Sequence, residues 1–260
     1  MLKKVKIGVF DIDGTIFRSS LLIEMVRGLV RAGIFPKKAN KEMEADYLAW
    51  LNRIGDYDNY IRKVMDIYNK YIIGRKFKDV ELVAKEVMGS EKNKVYRFTR
   101  DLIPELKRKG YYLIAISGSP WYMVDKFSLH MGFDVSFGTT VDVKNGIFTD
   151  RYIERDFKNN KNKLLSFEHK AKLMNFSNKG PLLKQYLASK KIVADWKNSV
   201  TVGDSGNDIA MLEIVGHPIA FNPDSVLVQE AKKRGWRVVV ERKNVVYDIK
   251  KFDFIPYKAH

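Results

Sequence analysis

A short, mainly apolar run, residues 5–10, leads directly into the segment Asp11-Ile12-Asp13-Gly14-Thr15. The run has the length of a buried β-strand and is too short to cross a membrane. Side chains two residues apart on a strand project to the same side, so Asp11 and Asp13 can face one ligand. Because α/β folds bind ligands at the carboxyl ends of their strands, the segment predicts an α/β fold with two carboxylates where the chemistry is done.

Two carboxylates this close repel each other unless a cation lies between them or one of them holds a proton. Phosphoryl transfer through an aspartate can use both arrangements. Asp11 would be the nucleophile and a ligand of Mg²⁺, which relieves the repulsion between a carboxylate and a phosphate. Asp13 would donate a proton to the leaving alkoxide. The alternative for this segment alone is a simple turn, with Thr15 as the cap of the next element.

Two further segments can serve the same ligand. A second apolar run, residues 112–116, ends in Ser117-Gly118-Ser119-Pro120, where a hydroxyl and open backbone N–H groups can hold an anion, although such a sequence also occurs in ordinary loops. Lys179 stands at the predicted start of a helix that has a proline in its first turn, and its ammonium can reach a phosphate from there. Lys170 and Lys172 are alternatives for this role.

A third apolar run, residues 200–202, enters Gly203-Asp204-Ser205-Gly206-Asn207-Asp208 and then a predicted helix. The two acids, Asp204 and Asp208, are four residues apart, which places them on one face of a starting helix, near its positive end. The alternative makes Asp204 a turn residue and Asp208 a partner of the helix dipole.

Together, these four segments resemble in order and spacing the four motifs of the haloacid dehalogenase superfamily of Mg²⁺-dependent phosphohydrolases, in particular the phosphoserine-phosphatase-like branch, subfamily IB. The family pattern is Asp-x-Asp-Gly-Thr/Val, then Ser/Thr-Gly, then Lys, then Gly-Asp-x-x-x-Asp, and all four are present. Residues 203–224 also look like that branch. The resemblance implies a Rossmann-like three-layer α/β core with a mostly parallel sheet.

The resemblance also implies catalytic and metal-binding roles. Asp11 would be phosphorylated, and Asp13 would act first as general acid and then as general base. Lys179 would neutralise the nucleophile and the phosphate. Asp11, Asp204 and the backbone carbonyl of Asp13 would bind Mg²⁺, and Asp208 would orient the metal's waters and Lys179.

The resemblance also implies three phosphate-binding residues. Ser117 and the Gly118 amide would hold the transferring phosphoryl group, and Asn207 matches an asparagine that contacts phosphate in phosphoserine phosphatases. These roles agree with the chemistry, because a loose phosphoryl transition state leaves the protein mainly to position groups and stabilise charge.

Residues 20–97 contain apolar residues at helical spacing and no convincing strand. This segment looks like the helical cap that the family inserts after its first motif, so we expect a cap at 20–97 and a catalytic core at 1–19 and 98–260. A cap that closes over the site would exclude water and contact the leaving group. We expect its aromatic and methionine side chains to form the core of the helical bundle.

The cap carries the candidates for substrate selection. Phosphoserine phosphatases of this branch have a Glu that binds the substrate amine where this chain has Ser20, and Glu24 lies one turn further on. Arg62 is the first candidate for the cap arginine that binds the substrate carboxylate. Three other arginines could serve instead: Arg18, Arg27 and Arg53.

The remaining pattern predicts further strands and one irregular segment. Residues 135–143 and 147–153 flank Asn145-Gly146, which is a strong hairpin signal. Residues 217–222 and 236–240 predict two later strands. Residues 156–176 are rich in Lys and Asn and longer than expected before the third motif, so we predict a loop or an extra helix near the mouth of the site.

Composition limits the remaining classes. A chain of 260 residues with 45% hydrophobic composition suits one core domain with an insert. The chain has no cysteine, which excludes disulfides and zinc thiolate sites and fits the cytoplasm, and its four scattered histidines argue against a histidine metal cluster. No run approaches the length of a membrane span, and nothing in the sequence specifies an oligomeric state.

The formal net charge of +16 supports a different class, a basic nucleic-acid-binding protein. The lysines are, however, spread along the chain without a nucleic-acid motif, so we expect a small phosphorylated metabolite as the partner and nucleic acid to be unlikely. A third hypothesis keeps the fold and the intermediate but passes the phosphoryl group to another acceptor, as a phosphotransferase.

Overall fold

The computed structural model describes residues 4–157, 161–166 and 179–249. Its strands are β1 (Ile7–Phe10), β2 (Tyr112–Pro120), β3 (Val135–Thr139), β4 (Val141–Lys144), β5 (Ile147–Asp156), β6 (Lys161–Ser166), β7 (Val200–Gly203), β8 (His217–Phe221), β9 (Arg237–Arg242) and β10 (Val245–Ile249). Its helices are α1 (Leu21–Arg31), α2 (Lys38–Leu51), α3 (Tyr57–Ile72), α4 (Phe77–Glu91), α5 (Arg97–Arg108), α6 (Trp121–Met131), α7 (Lys179–Ser189), α8 (Ile209–Leu212) and α9 (Ser225–Arg234).

Strand β1 lies inside a seven-stranded sheet of order β10-β9-β8-β7-β1-β2-β3. It runs parallel to β2 on one side and to β7 on the other, with Phe10 opposite both Ala115 and Val202. Every pairing in this sheet is parallel except that of β10 with β9. The carboxyl ends of β7, β1 and β2 therefore meet at one edge, which confirms the predicted α/β fold with a mostly parallel sheet.

Helices cover both faces of the sheet, and β1 contributes side chains to each face because successive residues of a strand point to opposite sides. Ile7 and Val9 pack with Leu183 of α7, while Phe10 packs on the opposite face with the helices that include α1, α5 and α6. Phe10 is fully buried, with its ring edge-on to Phe133 at 5.6 Å between centroids. Burying such a side chain stabilises the fold by about 2–3 kcal/mol. The result is the predicted three-layer core, helices on both faces of one sheet.

Helices α1 to α4 form one helical segment between β1 and α5, as the apolar spacing of residues 20–97 predicts. α1 begins after Ser20, whose hydroxyl accepts a hydrogen bond from the Leu22 N–H, as an N-cap does. Met25, Met43 and Tyr68 are buried among these helices, which agrees with the expected bundle core. Tyr57 differs, since 38% of its surface is exposed.

The hairpin at Asn145-Gly146 is confirmed, with β4 and β5 antiparallel around it. The first predicted strand, residues 135–143, is however two strands. β3 joins the large sheet beside β2, and β4 begins a separate three-stranded sheet of order β4-β5-β6. Gly138 allows this close approach, because a Cβ there would lie 2.5 Å from the Trp121 Cα.

The prediction of a loop or helix over residues 156–176 is wrong for the part that the structure describes. Lys161–Ser166 is strand β6, which pairs antiparallel with β5. Leu165 is buried in this small sheet, whereas the other residues of β6 are exposed. A single buried residue gives no recognisable strand pattern in a segment rich in lysine. Residues 158–160 and 167–176 lie outside the described residues, and so do the alternative lysines at positions 170 and 172.

A buried pair of tyrosines is among the contacts that join the helical segment to the core. The hydroxyls of Tyr68 in α3 and Tyr122 in α6 are hydrogen-bonded at 2.8 Å, and both rings are buried.

We predict that Tyr68→Phe or Tyr122→Phe alone lowers the free energy of unfolding by about 1–2 kcal/mol, because each leaves a buried hydroxyl unpaired. The double variant should lose less than the sum of the two. Denaturant unfolding of all four proteins measures this, and additive losses would contradict the coupling.

Candidate active site

The four predicted motifs meet at the carboxyl edge of the large sheet. Asp11 follows β1, Ser117 lies near the end of β2, and Asp204 follows β7, and these three strands are neighbours. Lys179 is the first residue of α7 and Asp208 ends a short 3-10 helix, Gly206–Asp208. Residues that are far apart in the chain are therefore brought into one cluster by the order of the strands.

Lys179 is the centre of this cluster. Its Nζ donates to Asp11 Oδ1 and to Asp208 Oδ1, at 2.6 Å in each case, and all three side chains are buried. Burial alone would lower the pKa of Lys179, but the charges of Asp11 and Asp208 raise it above its usual range, so the ammonium keeps its proton. One cation thus holds two acids in place.

Asp208 is fixed on its other side by the backbone. Its Oδ2 accepts hydrogen bonds from the Asp204 N–H at 3.0 Å and the Ser205 N–H at 3.1 Å. The turn carrying Asp204 also packs tightly against the first motif. Gly14 has a φ of +83° there, and a Cβ would lie 2.0 Å from Asp204 Oδ2. The glycine of the first motif is therefore required both by its backbone conformation and by the approach of Asp204.

Asp13 has a different environment from Asp11. Its Oδ1 accepts from the Leu21 N–H at 2.6 Å, and its Oδ2 accepts from the Ser117 hydroxyl at 2.6 Å and the Ser119 hydroxyl at 2.7 Å. Burial raises the pKa of Asp13 above its usual value, although these hydrogen bonds oppose the rise. A carboxyl whose pKa is raised by burial and lowered by hydrogen bonds is suited to hold a proton and release it.

Three carboxylates form a group that can hold a hard cation. Asp11, Asp204 and Asp208 each place one oxygen within 4.8 Å of the others. Asp11 Oδ2 is buried and has no hydrogen-bond partner within the described residues, which is unfavourable for a charged oxygen without a ligand. The all-oxygen donor set and the excess of negative charge fit Mg²⁺.

The pKa values of these acids respond to the same crowding. Burial raises the pKa of Asp11 to about 7, Asp208 and Asp13 add to the rise, and Lys179 opposes it. Burial, with the charges of Asp11 and Asp208, raises the pKa of Asp204 well above its usual value. Without a cation, the cluster therefore takes up protons near neutral pH.

The structure separates the other predicted residues by their surroundings. The Ser117 hydroxyl donates to Asp13, and Gly118 lies in β2 beside it, so phosphate binding by these two stays a prediction. Asn207 is half-buried in the 3-10 helix next to Asp208, and its role also stays a prediction. Arg62 is exposed and lies 4.0 Å from Asp58.

The other arginine candidates lie in distinct places. Arg27 is half-buried and 3.5 Å from Glu24, which is itself buried. Arg18 is exposed and lies over the ring of Tyr96.

One residue of the site was not predicted from the sequence. Ser119 donates to Asp13 and also accepts from the Leu22 N–H at 3.0 Å, joining β2 to α1. Its position two residues after Ser117, on the same side of a strand, is a signal that could have revealed it.

Comparison with known proteins agrees with this geometry. Residues 9–213 match the family described as haloacid dehalogenase-like hydrolase. The chain belongs to this hydrolase family. Its resemblance to the family, seen in the four motifs, is therefore confirmed over most of the chain.

The chain is similar to two archaeal proteins named phosphoserine phosphatase. The one from Methanocaldococcus jannaschii is 25% identical over 247 residues, covering 93% of this chain and 99% of that protein. The one from Archaeoglobus fulgidus is 24% identical over 219 residues, covering 84% of this chain and 53% of that protein, so the match spans about half of the relative's length. A solved structure of a phospho-aspartyl intermediate analogue of phosphoserine phosphatase has a TM-score of 0.56 at 22% identity, over 93% of this chain and 95% of that one, and shows the same fold.

No helix within residues 4–157, 161–166 and 179–249 is both long enough and apolar enough to cross a membrane.

The raised pKa values predict how pH and Mg²⁺ affect stability. For an acid whose pKa is higher folded than unfolded, the stabilising contribution is present below the unfolded pKa and is lost as pH rises through the folded pKa, here about 7 for Asp11. Mg²⁺ binds the ionised acids, so it must compete with protons below that pH. We predict that Mg²⁺ raises the melting temperature more at about pH 8 than at about pH 5.5.

Thermal unfolding with Mg²⁺ and with EDTA measures this difference. Asp204→Asn should remove most of the Mg²⁺-dependent shift, whereas Asp150→Asn, which changes an exposed acid paired with Arg151, should leave it intact. A shift of the same size at both pH values would contradict the assignment of these carboxylates.

Proposed function

We propose that this protein is a Mg²⁺-dependent phosphatase that transfers the phosphoryl group of a small phosphomonoester to Asp11 and then to water. The observation that carries the proposal is the state of Asp11: one oxygen is held by Lys179, and the other is buried without a partner within the described residues. Above its pKa of about 7, such a carboxylate is ionised and has a free oxygen for a ligand. The relatives named phosphoserine phosphatase support the same chemistry.

In the first step, Asp11 attacks phosphorus and the bond between phosphorus and the leaving oxygen breaks. Asp13 gives its proton to that oxygen, so an alcohol leaves and an aspartyl phosphate remains. In the second step, Asp13 takes a proton from water as the water attacks phosphorus, which releases inorganic phosphate and restores Asp11. Lys179 stabilises the added negative charge in both steps.

Asp11, Asp204 and Asp208, with the carbonyl of Asp13, are the groups that would hold or orient Mg²⁺. When bound, the ion would offset the charge of the carboxylates and of the phosphate. The unpartnered Asp11 oxygen and the crowding of acids support this assignment.

We also propose that residues 20–97 form a cap on a core of residues 1–19 and 98–260. The contact that supports a functional link is the hydrogen bond from the Leu21 N–H to Asp13, because it places the start of α1 directly on the proposed general acid. Glu24 follows within the first turn of α1 and is buried beside Arg27. A leaving group protonated by Asp13 would therefore meet the first turns of this helix.

The proposed substrate is a small phosphomonoester, and phosphoserine is one candidate. In this chain, however, the position of the family's amine-binding Glu is taken by Ser20, whose hydroxyl caps α1. A screen of phosphorylated metabolites, with and without Mg²⁺, tests the class. The same assays with excess alcohol or sugar distinguish hydrolysis from phosphotransfer, since a phosphotransferase would form the acceptor's phosphate ester in place of inorganic phosphate.

Asp11→Asn provides a direct test of the nucleophile. We predict that it abolishes Mg²⁺-dependent hydrolysis of p-nitrophenyl phosphate, because an amide oxygen is a poor nucleophile, while the amide can still accept the Lys179 hydrogen bond and keep the fold. Steady-state kinetics and circular dichroism measure both effects. The exposed-acid variant Asp150→Asn is the control and should retain activity. Retention of about a tenth of the activity by Asp11→Asn would remove Asp11 from the role of nucleophile.

Asp13→Asn tests the general acid through the leaving group. We predict a loss of kcat that is larger for an alkyl phosphate such as phosphoserine than for p-nitrophenyl phosphate, because an alkoxide needs the proton and nitrophenolate does not. The ratio of the two losses is the measurement. Equal losses with both substrates would show that Asp13 does not protonate the leaving oxygen.

A further inference from the structure

Ser119 is a buried residue of β2 that joins the proposed general acid to the helical segment. Its hydroxyl donates to Asp13 Oδ2 at 2.7 Å and accepts at 3.0 Å from the N–H of Leu22, in the first turn of α1. Only 2% of the residue's surface is exposed, so solvent has little access to these hydrogen bonds. One hydroxyl of the core thus contacts both the acid that follows β1 and the first helix of the proposed cap.

The Leu22 N–H determines the direction in which this hydroxyl donates. A backbone N–H can only donate, so the Ser119 oxygen accepts from Leu22 and its single proton remains for Asp13. A hydrogen bond to a charged acceptor is also stronger than one between neutral groups. The fold therefore fixes Ser119 as a donor to Asp13.

Ser117 contacts the same carboxylate oxygen but has a second predicted partner. Its hydroxyl donates to Asp13 Oδ2 at 2.6 Å and accepts from the Ser119 N–H at 2.9 Å. A hydroxyl has one proton, so a Ser117 that donates to a bound phosphate, as the family resemblance implies, would release Asp13. Ser119 would then be the hydroxyl that holds Asp13 Oδ2 while the substrate is bound.

The two oxygens of Asp13 differ in their capacity to hold a proton. Oδ2 accepts from two hydroxyls, which fills the two acceptor positions of a carboxylate oxygen. Oδ1 accepts from the Leu21 N–H at 2.6 Å and keeps its other acceptor position within the described part of the chain. A proton for transfer therefore fits on Oδ1.

We propose that Ser119 is a positioning residue, whose hydroxyl holds Asp13 Oδ2 so that Oδ1 carries the proton given to the leaving oxygen. This inference rests on the proposed phosphatase function and adds to it the atom that transfers the proton and the residue that orients it. The proton moves from Oδ1 to the leaving oxygen as the bond between phosphorus and that oxygen breaks, and Ser119 keeps its own proton. Because a small displacement of a proton donor slows the transfer, loss of this hydrogen bond should affect the step that needs the proton.

Ser119→Ala tests the inference, because both partners of the hydroxyl keep another hydrogen bond. The Leu22 N–H still donates to the Ser20 hydroxyl at 3.2 Å, and Asp13 still accepts from Ser117. We therefore expect the melting temperature to fall by no more than about 4 °C. With Mg²⁺ present, kcat/KM should fall by about 10-fold for phenyl phosphate and by less than about 2-fold for p-nitrophenyl phosphate, because phenolate is the poorer leaving group and needs the proton more.

Ser20→Ala is the matched control. It removes the other hydroxyl that accepts from the Leu22 N–H, and Ser20 is as deeply buried as Ser119. The variant therefore weakens the start of α1 without removing a hydrogen bond of Asp13. The ratio of the two kcat/KM values should stay as it is in the unaltered protein.

A double variant shows whether Ser119 acts through the acid. The side chain of Asp13→Asn has no carboxyl proton to give, so a misplaced side chain at position 13 has no further effect on proton transfer. Adding Ser119→Ala to Asp13→Asn should therefore leave the ratio of the two kcat/KM values as it is in Asp13→Asn alone.

Three outcomes would overturn the inference. Equal losses with both substrates in Ser119→Ala, or no loss with either, would make Ser119 a structural residue only. The same change of ratio in Ser20→Ala, or in the Asp13→Asn background, would show that the effect does not pass through the hydrogen bond to Asp13. In both cases the phosphatase function stands if Asp11→Asn abolishes turnover. If the unaltered protein hydrolyses no phosphomonoester, the proposed function and this inference fall together.

Discussion

The ion pairs of Lys179 with Asp11 and Asp208 are the interaction on which the site depends. Asp11 and Lys179 are 168 residues apart in the chain, and their contact joins the end of β1 to the start of α7. Asp208 extends the contact to the turn after β7. Buried carboxylates at this separation repel one another, so removing the ammonium would leave them uncompensated at a cost of about 3–5 kcal/mol. The cluster is stable because one cation is shared between two acids.

One ammonium does not balance all of the acids. The pKa of Asp11 remains raised to about 7 even with Lys179 beside it, because burial and the neighbouring carboxylates outweigh the lysine. The remaining negative charge explains why the site suits both a divalent cation and protons, and why the two should compete.

The first motif places two similar carboxylates in unlike environments. Asp11 faces a cation, whereas Asp13 is surrounded by two hydroxyls and a backbone N–H. This difference supports the proposed division of work, in which one acid attacks and the other transfers a proton. The donors to Asp13 come from β2 and from the start of α1, so the geometry of the proposed general acid depends on how the helical segment is attached.

The sequence predicted the parts of the site that depend on strand order. Asp11, Asp204 and Lys179 follow or precede recognisable apolar runs, and a parallel sheet brings such ends together. It did not predict that Ser117 would donate to Asp13, because the partner of a hydroxyl depends on side-chain positions that no pattern specifies. β6 and β10 were missed for a similar reason, since neither carries a clear alternation of buried and exposed residues.

The most direct measurement of the central claim is the identity of the residue that becomes phosphorylated. The protein is mixed with a phosphomonoester and Mg²⁺ and quenched in acid, and the acyl phosphate is reduced with borohydride before peptide mass spectrometry. We expect Asp11 to be converted to homoserine in a substrate-dependent way, and Asp13 and Asp204 to be unmodified. Turnover with the modification at another residue, or with no modified residue under conditions that trap an acyl phosphate, would contradict the assignment of Asp11 as the nucleophile.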